Sequence, residues 1–154
     1  MKKIVSMAEL KVGRKPDVFT VIGLGSCVAV ALYHEASMTG GLAHIMLPEG
    51  QEMNCAKPGK YVNTAIKAMF EQVRKRVGED EKIVAKLAGG SQMFQITKTL
   101  RIGNRNVDAA KKVLKDLNIG VVGEDTGKNY GRTVIFYTEN GQLRIKSIYG
   151  ERII

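Results

Sequence analysis

Residues 18–33 read V-F-T-V-I-G-L-G-S-C-V-A-V-A-L-Y. Two β-branched and apolar runs are interrupted by Gly23, Gly25 and Ser26, the pattern of strand, tight turn, strand. Beyond a polar connection at 34–39, the run 41–47 reads as a further strand closed by Pro48. The turn at Thr39, Gly40 and Gly41 makes an antiparallel return plausible, and that return would bring His44 beside the Gly25–Cys27 turn. Farther on, Pro58 and Gly59 introduce a helix in which Val62, Ala65, Ile66, Met69, Phe70, Val73 and Val77 recur at steps of three and four, with Gly78 as its stop. A buried strand is expected over 83–88, followed by Gly89 and Gly90. A second helix is expected over about 107–117, with Val107, Ala110, Leu114 and Leu117 on one side. The last third reads as a short strand at 120–122, a Gly-rich loop at 125–132, and a hairpin of 133–138 against 142–148 turned by Asn140-Gly141. Seven strand-like segments and two long helices favour an α+β fold over a regular βαβ series. The expectation is a single layered domain spanning 1–154, its mixed β-sheets forming a sandwich with the two main helices packed on one side. The stretch 49–57 reads as a mobile loop near the site.

A chain of 154 residues buries roughly 70% of its unfolded surface, enough to hold a rigid site without disulfides. There is no apolar run of spanning length and no leader-like start, so a cytoplasmic place is expected, with the two cysteines reduced. Lysine and arginine number 24 against 15 aspartates and glutamates, a formal charge of +9. That surface favours acidic partners. Yet Lys67, Arg74, Lys75, Arg76, Lys111, Lys112 and Lys115 all fall in helical segments, where a solvated polar face accounts for them. Nothing resembles a zinc finger, an aromatic-rich RNA-binding strand or a basic arm, and nucleic acid is not expected as a partner.

Chemistry concentrates at Gly23–Cys27. A cysteine at the exit of a Gly-rich turn has neighbouring N–H groups free to stabilise a thiolate and later an oxyanion; a cysteine inside the strand would only fill space. His44 stands in the otherwise apolar run L-A-H-I-M-L, where an imidazole must find partners for its ring nitrogens or cost about 1–3 kcal/mol for each unsatisfied group. One nitrogen facing Cys27 and the other held by an acceptor would make a nucleophile–base pair, although a satisfied core histidine also fits. His34 falls in a polar turn and reads as exposed, and Cys55 as an ordinary loop thiol. No pair of cysteines or histidines has the close spacing of a structural zinc site. Gly89-Gly90-Ser91 and the loop at 127–131 lack the phosphate-loop pattern; they read as turns, some of which would let backbone approach a substrate or the Cys27 loop.

The stretches G-L-G-S-C-V-A-V at 23–30, G-G-L-A-H-I-M-L-P at 40–48, K-P-G-K-Y at 57–61, K-L-A-G-G-S-Q-M-F at 86–94, I-G-N-R-N-V at 102–107 and E-D-T-G-K-N-Y-G-R at 124–132 together resemble the chemoreceptor glutamine deamidase family, CheD. The resemblance covers almost the whole chain in order. It implies a cysteine hydrolase that converts glutamines on the cytoplasmic helices of chemoreceptors to glutamate, with hydrolysis of receptor glutamyl methyl esters as a second activity. Cys27 would match the nucleophile and His44 the base. The family's third member is often a threonine where this chain has Val21. Thr20, the neighbour, faces the opposite way on a strand, so the backbone carbonyl of Val21 becomes the candidate acceptor for the imidazole. The backbone N–H groups of the Ser26–Cys27 turn are the candidate oxyanion donors. No cofactor, metal or membrane insertion is implied. The family commonly works beside a chemotaxis phosphatase, CheC. The alternative is a noncatalytic regulatory binding protein docking that phosphatase or a receptor.

Overall fold

The computed structural model describes residues 1–50, 56–92 and 101–154. Ten strands and two helices follow in the order β1 (Lys2–Ile4), β2 (Leu10–Arg14), β3 (Val18–Leu24), β4 (Val28–His34), β5 (Thr39–Ile45), α1 (Val62–Val77), β6 (Val84–Gly89), α2 (Ile102–Asp116), β7 (Gly120–Thr126), β8 (Arg132–Tyr137), β9 (Leu143–Ser147) and β10 (Gly150–Ile153), with a 3-10 turn at Pro58–Lys60 before α1. They form two five-stranded sheets, one ordered β1-β3-β8-β9-β10 and the other β2-β5-β4-β6-β7. Each is mixed: β1 runs parallel to β3 and β6 parallel to β7, while the other neighbours are antiparallel.

The sandwich with helices on one side follows from the burial of β4. Every one of its residues is buried, which a strand achieves only when both sheet faces are covered. Val28, Val30 and Leu32 face α1 and α2, joining Ile66, Met69, Val73 and Leu114 in one core. The alternate residues Ala29, Ala31 and Tyr33 face the first sheet, joining Phe19, Val21, Val134 and Phe136 in the other. Each fully buried Leu or Phe contributes about 1.5–3 kcal/mol. Small residues let the sheets approach: a Cβ added at Gly40 would lie 3.0 Å from the Phe136 ring. That ring meets Tyr33 edge-on at 5.9 Å between centroids.

The α1 helix ends where the sequence places its stop, at Gly78 with φ 105°. Helix α2 begins at Ile102, five residues before the expected start; the glycine and asparagines of its first turn, I-G-N-R-N, are poor helix formers and no side chain caps it, so local propensity gave no sign of that turn. Its glycine is required there: a Cβ at Gly103 would lie 2.4 Å from the Ser91 carbonyl oxygen and 2.5 Å from that of Gly90. Strands β1, β2 and β10 are short; β1 and β10 are largely solvent-facing, whereas β2 is half-buried, with Leu10 and Val12 packed against the helix-side core. The expected loop at 125–132 is partly strand, since β7 continues through Thr126. Residues 51–55, including Cys55, lie outside the described residues. The basic helix residues Lys67, Lys75, Arg76, Lys111, Lys112 and Lys115 are exposed and Arg74 half-buried, as a solvated face requires.

Candidate functional site

Cys27 and His44 are brought to one face of one sheet. In the antiparallel β4–β5 ladder Ala29 stands opposite His44 and Val28 opposite Ile45. Cys27, one residue before β4, shares the side of Ala29 and packs against the inter-sheet core. With the register carried one step further it is the diagonal neighbour of His44. Cys27 is partly buried, and His44 is 5% exposed.

The three carbonyls of the Gly25–Cys27 turn are each held by a donor from the protein interior. Ser91 N–H donates to the Gly25 oxygen at 3.0 Å and Gly90 N–H to the Cys27 oxygen at 2.8 Å. Between them, Asn106 Nδ2 donates to the Ser26 oxygen at 2.9 Å. In a planar trans peptide the N–H points opposite its partner C=O, so anchoring these oxygens turns the Ser26 and Cys27 N–H groups away from the anchors. The Cys27 N–H lies against its own sulfur and favours the thiolate. Ser26 is exposed.

Gly89 and Gly90 make this approach possible. Both have positive φ, 97° and 66°; a Cβ on Gly89 would sit 2.6 Å from the Cys27 carbonyl oxygen, and one on Gly90 would sit 2.3 Å from Val107 Cγ2. The glycines at 89 and 90 thus serve close backbone approach to the Cys27 turn. The following loop braces them: Gly127 N–H donates to the Gly89 oxygen and Gln92 N–H to that of Lys128, each at 2.9 Å.

The imidazole of His44 is oriented by the N-terminal segment. Its Nδ1 lies 3.2 Å from the Val5 carbonyl oxygen and donates to it, which fixes the tautomer and leaves Nε2 as the unprotonated nitrogen. The backbone of His44 is tied to the same segment, its N–H to the Glu9 oxygen and its carbonyl to the Ala8 N–H, both 2.9 Å. This corrects the expectation for Val21: the acceptor is the carbonyl of Val5, not of Val21. The reason is that β1 pairs with β3 and its continuation, with Val5 N–H on the Thr20 oxygen at 2.8 Å, lays residue 5 beside His44. The Val21 side chain is fully buried in the inter-sheet core.

Burial pushes the Cys27 thiol above its ordinary value, opposed by its own N–H. Burial likewise pushes His44 below its ordinary value, opposed by the Val5 carbonyl and the charge of Glu9. Both effects favour a neutral thiol beside a neutral imidazole.

His34 also differs from expectation. It is buried, with Nδ1 at 2.6 Å from Ser37 Oγ and Nε2 at 2.9 Å from Glu81 Oε2. The turn that looked polar folds under Glu81, so both ring nitrogens have partners, and this histidine pins a turn at the far end of β4 from Cys27. Among the described residues no three His, Cys, Asp or Glu side chains gather as metal ligands, and no helix is long and apolar enough to cross a membrane. Asn106 and Val5 were not singled out in the sequence. Val5 acts through backbone, which leaves no signature. Asn106 did leave one, a polar residue on the buried stripe of Gly103, Val107 and Ala110.

Comparison with known proteins extends this picture. The family model described as "CheD chemotactic sensory transduction" matches residues 46–147. A probable chemoreceptor glutamine deamidase CheD of Caldanaerobacter subterraneus is 44% identical over 148 residues, 94% of this chain and 91% of the relative. The chemoreceptor glutamine deamidase CheD of Thermotoga maritima is 42% identical over 150 residues, 97% and 94% of the two chains. A probable one from Methanococcus vannielii is 42% identical over 143 residues, 92% of each chain. The family match starts just past His44, but these whole-chain similarities run across the Cys27 turn as well, and together they establish that the chain belongs to the CheD family.

Proposed function

We propose that this chain deamidates glutamine side chains on the cytoplasmic helices of chemoreceptors, with Cys27 as nucleophile and His44 as general base and then acid. The observation that carries the reading is the placement of Cys27 and His44 as diagonal neighbours on one sheet face, in a chain whose relatives bear the name chemoreceptor glutamine deamidase. As substrate docks, His44 Nε2 takes the thiol proton while Sγ attacks the glutamine Cδ. The charge that develops on the amide oxygen is met by the outward N–H groups of the Ser26–Cys27 turn. The imidazolium protonates the departing ammonia, leaving a glutamyl thioester. His44 then takes a proton from water, which attacks the thioester carbon; glutamate leaves and the thiol is restored. With a glutamyl methyl ester the leaving group is methanol.

Selectivity must come from outside the reacting amide, because free glutamine offers the same group. The segments that lead into the site carry exposed apolar side chains: Ile22 at 61% just before the turn, Met7 at 59% in the segment that holds His44, and Ile4 at 56%. With the +9 charge they suit an amphipathic helix of acidic character. On this reading the protein works in the cytoplasm, and the chemotaxis phosphatase CheC is a candidate partner.

The test uses parent and Cys27→Ala protein with a receptor cytoplasmic fragment, following ammonia and the gain of about one dalton per site that replacing NH2 by OH produces. Cys27→Ala is expected to abolish turnover while still binding the fragment. Retained turnover would remove Cys27 from the mechanism. Binding by the parent without any Cys27-dependent mass change would favour a noncatalytic regulatory protein.

A further inference from the structure

Asn106 has no part in the chemistry described above, yet it is the one side chain among the three anchors of the nucleophile turn. It is fully buried on α2. Its Nδ2 donates at once to the Ser26 carbonyl oxygen at 2.9 Å and to the Met46 carbonyl oxygen at 3.0 Å. Ser26 immediately precedes Cys27, and Met46 lies two residues after His44. The β4–β5 ladder has its last pair at Val28 and Ile45; the next step would set Cys27 opposite Met46. Where the strands stop pairing with each other, a single amide joins the two chains that carry Cys27 and His44.

The orientation of that amide is dictated by what it faces. Both partners are carbonyl oxygens, which only accept, so the NH2 must point at them. Oδ1 is left buried without a hydrogen-bond partner among the described residues. A buried acceptor left unmatched weighs against stability, which points to a use for this residue other than packing. That use follows from peptide geometry. Holding the Ser26 oxygen fixes the plane of the Ser26–Cys27 peptide and hence the direction of the Cys27 N–H, and an amide whose oxygen accepts a hydrogen bond becomes a stronger donor through its N–H.

We propose that Asn106 is a positioning residue for the reaction: by clamping the Ser26 and Met46 carbonyls it aims the Cys27 N–H at the sulfur and the developing oxyanion, and holds His44 in register with Cys27. The inference rests on the reading of Cys27 as nucleophile. Its tests therefore include one that does not depend on turnover.

In the parent protein, both Asn106 side-chain amide protons should exchange with solvent far more slowly than those of exposed asparagines. Fast exchange would overturn the clamp. Asn106→Ala removes both donors and Asn106→Ser keeps a hydroxyl able to serve one carbonyl. Losing an oxyanion donor outright costs about 100–1000-fold in kcat; a donor present but misaimed should cost about 10–100-fold in Asn106→Ala, with a smaller loss in Asn106→Ser and KM within about threefold. Peptide-resolved alkylation with iodoacetamide should show the Cys27 pH profile moved to higher pH in Asn106→Ala, since the thiolate loses its aligned N–H. Thr138→Val serves as the control: Thr138 is buried and its Oγ1 donates to the Asp17 oxygen at 2.7 Å, at the opposite end of β3. It should lose stability but keep both kcat and the alkylation profile. An alkylation profile unchanged in the folded Asn106 variants, or a kcat loss that Thr138→Val matches, would overturn the proposal. Turnover surviving in Cys27→Ala would instead refute the functional reading while leaving the alkylation test valid.

Discussion

Removing the charge of Asp125 should cost this protein far more than removing that of Arg132, although the two are partners in one ion pair. Arg132 stands opposite Leu24 at the base of the Cys27 turn, and its side chain is 0% exposed. Its Nε donates to Asp125 Oδ1 at 2.9 Å and its Nη1 to the Gly127 carbonyl at 3.0 Å, while Nη2 is buried without a hydrogen-bond partner among the described residues. Asp125 has a second partner, Arg152, whose Nη1 lies 3.1 Å from Oδ2 and which reaches solvent. Asp125→Asn therefore leaves a guanidinium charge buried and uncompensated, a loss of about 3–5 kcal/mol. In a domain of this size each kcal/mol moves Tm by about 2–4 °C, so the midpoint should fall by about 6–20 °C. Arg132→Met leaves Asp125 still paired with Arg152 and places an apolar chain against Leu24, so its loss should be smaller. The double variant Asp125→Asn/Arg132→Met, with neither charge of the buried pair left, should be more stable than Asp125→Asn alone, a non-additivity expected of groups sharing one network. Calorimetry on the three proteins measures this. The reasoning fails if Asp125→Asn melts within about 2 °C of the parent, or if the double variant loses the sum of its parts.

Two further outcomes follow from the site. His44 is neutral longer in the folded chain than in the unfolded one, so the unfolded chain binds more protons as pH falls below the ordinary value of 6.5; stability held above that pH is lost on acidification, and His44→Asn should show a shallower acid-side loss in urea titrations across pH 4–8. Val21→Thr, which places a hydroxyl at this position, should change kcat less than about tenfold, roughly 1.4 kcal/mol, because Nδ1 already donates to the Val5 carbonyl; a larger rise would mean that the side-chain hydroxyl limits the reaction.

The sequence was informative where a side chain had to satisfy a periodic surface and silent where backbone did the work. The strand–turn–strand at 18–33 was readable because β4 is buried on both faces and so carries an unbroken apolar run. Helix α1 was readable because its buried stripe has helical spacing and a glycine stop. The same rules predicted the return of β5 that sets His44 against Ala29. They did not find β1 and β2, which are only three and five residues long, β1 mostly lysine and β2 offering just Leu10 and Val12 to the core, and with them went the Val5 carbonyl that orients His44. The first turn of α2 was missed for a related reason: Gly103 and Asn106 are there for contacts with Gly90, Ser91, Ser26 and Met46, and those contacts override a poor helix propensity. His34 shows the converse error. A polar neighbourhood suggested exposure, but Glu81, 47 residues away, closes over it.

On the proposed reading, the burial that perturbs Cys27 and His44 bears on how the protein avoids damage as much as on how it reacts. A thiol held above its ordinary value beside an imidazole held below its own stays uncharged in the free protein near neutral pH, and the thiolate is the form that oxidises or adds to stray electrophiles. On the proposed mechanism, proton transfer to Nε2 then has to accompany attack on the amide, because only the developing oxyanion, met by the outward N–H groups of the turn, repays the separation of charge. A docked helix over Ile22 and Met7 would shed water from the site and strengthen those same interactions. Reactivity would thus be tied to the presence of the correct surface, and free glutamine, which brings the amide without the helix, would gain little from either step.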